Sequence, residues 1–74
     1  MEKKRVFTVV IERDEEGWLF ADVPELSGCH TQAKTMNELL ERVKEVIELC
    51  LEDLEEKKEE IPKSDFVGIQ RIEV

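Results

Sequence analysis

One histidine, His30, is all the sequence offers for imidazole chemistry. A catalytic dyad of two histidines, or a metal site built on two imidazoles, is therefore excluded within one chain. Cysteine is equally scarce: Cys29 and Cys50 are too few for a disulfide scaffold or a thiolate zinc site, and they read as free thiols. There is no CxxC pair, no glycine-rich phosphate loop and no nucleophile elbow. No apolar run approaches the roughly 18 residues of a membrane span. Residues 6–11, behind Met1-Glu2-Lys3-Lys4-Arg5, are too few for the apolar stretch of a signal peptide, so a cytoplasmic protein is expected. Base is in the minority as well, with 11 Lys and Arg against 19 Asp and Glu and a net charge of −8. Phosphate-backbone binding needs a basic face, so direct nucleic-acid binding is not expected and a basic partner is.

What is present is one short, well-patterned domain. A chain of 74 residues, 41% hydrophobic and 41% charged, is too apolar for disorder and long enough for a single domain, residues 1–74. Its core is small, which favours self-association. Val6-Phe7-Thr8-Val9-Val10-Ile11 is β-branched and aromatic and suits a strand covered on both faces. The charged turn Arg13-Asp14-Glu15-Glu16-Gly17 follows, and residues 18–23 resume strand character up to Pro24. Together they predict an antiparallel hairpin. Residues 24–28 form a turn and 29–32 a short third strand.

The helix carries the clearest pattern. Thr35 and Glu38 make a capping box, and the apolar positions Met36, Leu39, Leu40, Val43, Val46, Ile47, Cys50, Leu51 and Leu54 form one stripe at helical spacing. Glu38 and Arg42 are spaced to support each other. Pro62 bars continuation, so the helix is expected to end near Lys57 or Lys58, whose charges suit the helix dipole. Residues 66–74 then read as a last strand. The order β-β-β-α-β predicts an α+β two-layer sandwich, with one long amphipathic helix on a four-stranded mixed sheet. Residues 36–60 hold ten acids and four bases, so most of the excess charge rides on the helix, as a solvated face or a docking surface for a basic protein.

Candidate chemistry is thin. Cys29 and His30 are neighbours in a strand, where adjacent side chains point to opposite faces and cannot share a proton. Asp14, Glu15, Glu16, Asp22 and Glu25 crowd the first half, but only Asp22 falls inside a strand, so a converging carboxylate site for metal-dependent nuclease chemistry is not expected. Trp18 is either a lid on the core or an exposed contact aromatic.

The motifs together resemble a known family. Trp18-Leu19-Phe20-Ala21-Asp22-Val23-Pro24-Glu25-Leu26-Ser27-Gly28-Cys29 is similar to the strand and P-(D/E)-L-x-G-C turn of HicB-like antitoxins. Thr31-Gln32-Ala33-Lys34-Thr35-Met36-Asn37-Glu38-Leu39 is similar to their T-x-G-(D/E)-T-x-x-E-A helix entry, and Ile61-Pro62-Lys63-Ser64 to the segment behind their helix. Two positions depart from the pattern. Ala33 replaces a usual glycine, so the backbone there either avoids positive φ or carries strain, and Lys34 replaces a usual acid.

The resemblance implies a partial ribonuclease H fold without the nuclease's carboxylates, hence no enzyme, no metal and no cofactor. It also implies a role: neutralising a small basic HicA-like toxin that cleaves messenger RNA, by occluding its RNA surface. Many family members add a DNA-binding domain, for which residues 1–74 leave no room. The expected contacts are Asp14, Glu15, Glu16, Trp18, Asp22 and Glu25, which combine acidity with an aromatic anchor. A rival expectation is an orphan self-associating regulatory protein of the same fold. Homo-oligomerisation is expected in either case, through an apolar strand edge.

Overall fold

The computed structural model describes residues 5–60 and 65–74. Strand β1 (Val10–Arg13) pairs antiparallel with β2 (Leu19–Asp22), which pairs antiparallel with β3 (His30–Ala33), in the order β1-β2-β3. Helix α1 (Met36–Glu56) follows directly and packs on one face of the sheet, across β3 and β2.

Asp14 builds the β1–β2 turn. Its Oδ1 accepts the backbone N–H groups of Glu16 (3.0 Å) and Trp18 (2.9 Å), while Gly17 takes a φ of 90° that other residues resist. The turn after β2 is closed by main chain: Leu26 N–H donates to Val23 C=O, and Val23 N–H to Cys29 C=O at 2.9 Å. β1 begins at Val10 and not at Val6 as expected, because Pro24, the next residue after Asp22 to face β1, has no N–H with which to continue the ladder. The register pairs Val10 with Asp22. Beyond Asp22 the second strand turns away, and Thr8 N–H donates instead to the carboxylate of Glu25, at 2.9 and 3.1 Å.

Alternation along β2 sorts the layers. Leu19 and Ala21 point to the helix side with Ala33, and with Val23, Leu26, Cys29, Leu39 and Val43 they form the buried core. Phe7, Val9, Val46, Ile47, Cys50, Leu51 and Leu54 pack around it, half-buried. The helical stripe is thus the core-facing side of α1, as its spacing predicts, although Met36 and Leu40 fall outside on its exposed shoulder.

Both helix ends lie where the sequence reading puts them, at a Thr35 cap and a Lys57 cap, though the bonds that close them differ in detail. At the start, the Thr35 hydroxyl accepts Glu38 N–H at 3.2 Å, but the Glu38 carboxylate does not return the bond. It faces the Arg42 guanidinium at 3.8 Å, so only half of the capping box forms. At the finish, the helix stops well short of Pro62 by a local closure: Glu59 N–H donates to Leu54 C=O and Lys58 N–H to Glu55 C=O. This is a Schellman motif, with Lys58 at φ 56° in the left-handed position that glycine usually fills.

The fourth strand is the main correction. Residues 66–74 belong to no strand, and among the described residues the sheet is three-stranded and wholly antiparallel where a four-stranded mixed sheet was expected. Composition favours an extended chain here, but a strand exists only where an edge pairs with it. Among the described residues none pairs with 66–74. The segment Ile61-Pro62-Lys63-Ser64 lies outside the described residues.

Candidate partner-binding face

The helix covers one face of the sheet and leaves the other open. Cross-strand neighbours share a face, so the register builds that open surface row by row. Val10, Asp22 and His30 form one row and Glu12, Phe20 and Gln32 the next. Trp18 and Lys34 continue the pattern toward the β1–β2 turn, with Lys34 Nζ 4.3 Å from the Trp18 ring centroid, a cation–π contact. A shallow hollow of about 520 Å³ lies over the first two rows. Phe20, 39% exposed, stands at its centre.

The six expected contact residues do not form one cluster. Glu15 and Glu16 are exposed at the tip of the β1–β2 turn, and Trp18 sits half-buried at its base. Asp22 is exposed at the opposite end of the same open face. Asp14 is exposed, yet one carboxylate oxygen is occupied in holding the turn. Glu25 lies off this face, in the turn after β2, with both oxygens taken by Thr8 N–H. Burial acts to raise the Glu25 pKa, but the Thr8 hydrogen bonds outweigh it and hold the carboxyl below its ordinary value. Glu25 is thereby a clasp for the segment leading into β1. Trp18 resolves as a face aromatic with a cation partner, not a core lid.

Sequence reasoning missed Phe20, Glu12 and Gln32. Reading residues 6–11 as covered on both faces hid the signal, which is the alternation Trp18, Phe20, Asp22 against Leu19, Ala21, Val23. The departures from the family pattern now have physical reasons. Ala33 is fully buried in β3 opposite Leu19, on ordinary extended backbone, so its methyl fills core space without strain. Lys34 exchanges an acid's charge for the contact with Trp18.

The thiols sit on the core side of the fold. Cys29 is fully buried, and burial first, then the neighbouring Cys50 thiol and the nearby Asp22 charge, push its pKa up to about 12. Both are free, and Cys29 and Cys50 are neighbours across the core. His30 points to the open face while Cys29 points inward, which separates the pair as strand geometry requires. Among the described residues no three of His, Cys, Asp and Glu gather to hold a metal ion, and no helix is long and apolar enough to cross a membrane.

The result is a small α+β unit with one sheet face not covered by the helix, centred on Phe20 and carrying Glu12, Asp22, His30 and Lys34. The comparisons name its kind: residues 7–72 match the family model described as the HicB-like antitoxin of bacterial toxin–antitoxin systems, and the chain belongs to that family. It is 52% identical to a UPF0150 protein of Archaeoglobus fulgidus, over 92% of this chain and 93% of that one. It is 45% identical to a UPF0150 protein of Synechocystis, over 96% and 97%. A UPF0150 protein of Thermotoga maritima is 38% identical, over 96% and 92%. No solved structure gives a significant match.

Proposed function

We propose that this chain is the antitoxin of a toxin–antitoxin pair, and that it neutralises a small basic HicA-like toxin by covering the surface with which the toxin binds RNA. Its membership of the HicB-like antitoxin family, over nearly the whole chain, carries this reading. The physics is competition. A protein that grips RNA presents lysine and arginine to phosphates, and an acidic surface of matching shape takes the same charges. The chain carries a net −8. On the open face, Glu12 and Asp22 flank Phe20, with Trp18 beside them and Glu15 and Glu16 projecting from the adjoining turn. Buried aromatic anchors carry much of the energy of a protein interface, while charges around them steer encounter. The action is occlusion in the cytoplasm, where messenger RNA is cleaved, and needs no catalysis, metal or direct contact of this chain with nucleic acid.

The test is co-expression with the product of a neighbouring short gene encoding a basic protein. A soluble complex and rescue of growth are the expected result. Replacing Glu15 and Glu16 by lysine weakens the complex on the order of 10-fold or more at low salt, and much less at high salt. Failure of any such product to bind or to be rescued overturns the proposal. Unchanged affinity at low salt removes the turn from the interface.

A further inference from the structure

We propose that Cys29 and Cys50 are an oxidisable thiol pair, which a small hydroperoxide converts into a disulfide joining helix α1 to the turn in front of β3. The inference is independent of the antitoxin reading and of any toxin.

The two cysteines come from different layers and meet in the core. Cys29 is the last residue before β3, and its main chain is tied on both sides. Its N–H donates to Leu26 C=O at 3.2 Å, and its C=O accepts Val23 N–H at 2.9 Å. Its side chain is buried in the cluster with Val23, Leu26 and Leu39. Cys50 lies on α1, about two turns beyond the buried Val43 on the same apolar stripe, and packs against that cluster from the helix side. Cys29 thus has Cys50 as its neighbour, and both thiols are free. A disulfide needs side chains that converge from two backbones held at a short distance. A tied turn facing a helix stripe supplies that arrangement. The sequence holds no third cysteine to compete within the chain.

Access is unequal, and this sets the order of events. Cys29 is fully buried. Cys50 is half-buried and lines a hollow of about 480 Å³ with Leu26, Ser27, Leu49 and Leu54. A small oxidant therefore reaches Cys50 while the fold stays intact, and Cys29 lies behind it. Asp53, Glu59 and Glu60 border the same hollow and disfavour an anionic oxidant. A hydroperoxide is small and uncharged. Burial also keeps Cys29 protonated, which makes it a poor first nucleophile.

The chemistry balances in two steps. Cys50 gives its proton to solvent and its sulfur attacks the terminal peroxide oxygen. An S–O bond forms, the O–O bond breaks, and the leaving oxygen takes up a proton and departs as alcohol, or as water from hydrogen peroxide. Cys50 is then a sulfenic acid. The Cys29 sulfur next attacks the Cys50 sulfur: the S–S bond forms, the S–O bond breaks, and hydroxide leaves with the Cys29 proton as water. The two thiols have lost two electrons and two protons, and the peroxide has accepted them. The new bond closes a loop of about 20 residues through β3 and the first half of α1, which restricts the unfolded chain. It forms on the helix side of the sheet, away from the open face that carries Phe20.

Hydrogen peroxide added to the reduced full chain in native buffer tests the proposal, read by intact mass, thiol alkylation and peptide mapping. The expected product is a single chain lighter by two hydrogens, with no alkylable thiol and a linked peptide pair containing Cys29 and Cys50. Its urea midpoint is higher by about 2 M and returns to the starting value with dithiothreitol. In Cys50→Ala, which trims a half-buried side chain, Cys29 reacts with peroxide about 10-fold more slowly or less. In Cys29→Ala, sulfenic acid accumulates at Cys50 and is trapped by dimedone. Three results overturn the proposal: oxygen added to the parent without a disulfide, a Cys50–Cys50 bond between two chains as the main product, or Cys29 oxidised at the parental rate in Cys50→Ala. Should Cys29→Ala unfold, the mapping of the parent and Cys50→Ala decide. None of these readouts involves a toxin, so the two readings stand or fall separately.

Discussion

Leu39 and Leu40 are consecutive, chemically identical and about 100° apart around the helix. Leu39 is fully buried, packed in the cluster with Leu19, Ala33 and Val43, while Leu40 is 49% exposed. Truncating Leu39 to alanine removes three buried carbon groups, about 2.4 kcal/mol at ~0.8 kcal/mol each. The cavity left against the sheet adds to this, for a total near 3–4 kcal/mol. A domain of this size has roughly 4–11 kcal/mol of stability, at about 0.05–0.15 kcal/mol per residue. The substitution therefore consumes a large share of it. In urea, with a slope of ~1 kcal/mol/M, the midpoint falls by about 3 M. Leu40→Ala shifts it by about 1 M at most. Helical circular dichroism and Trp18 fluorescence follow the transition, at one fixed protein concentration because self-association shifts the midpoint. Equal losses at the two positions, or a larger loss at Leu40, would refute the placement of the helix on the sheet.

Two further outcomes follow from local geometry. Lys58→Gly relieves the left-handed strain at the helix end and stabilises the protein by about 0.5–1 kcal/mol, seen as a higher urea midpoint; a loss of stability contradicts the Schellman closure. For Glu25, the folded pKa lies below the ordinary 4.5, so its bond to Thr8 stabilises the fold above that value and is lost as pH falls through the folded pKa. Glu25→Gln is accordingly less stable than the parent at pH 7 and equal to it in strong acid, measured by urea unfolding across pH. A difference that persists unchanged into acid removes the carboxylate from the account.

Much of the fold was legible because local rules and tertiary packing agree. The helical stripe and the side chain of Thr35 determine α1 within a residue or two, since an amphipathic period has one efficient way to bury itself. Asp14 and Gly17 announce the hairpin turn, because few residues satisfy its backbone. For the six expected contact residues, sequence could not say which share a face. Glu15, Glu16, Trp18 and Asp22 reach one face or its rim, but Phe20 was overlooked and Glu25 turned out to serve the fold. A carboxylate's role depends on which N–H group lies opposite, and Thr8 is 17 residues away from Glu25.

The scarcity of histidine, cysteine and base is a property of the sequence alone, and it set the expectation of a small acidic domain before any contact was known. Family membership was also written in the linear order of its motifs. Only the tertiary structure decided which side of the sheet stays open, because facing is set by register, and register by the turns at both ends of β2. It also decided the fate of residues 66–74. Their composition specifies an extended apolar segment, but a strand needs an edge to pair with, and an edge is a property of the assembled sheet.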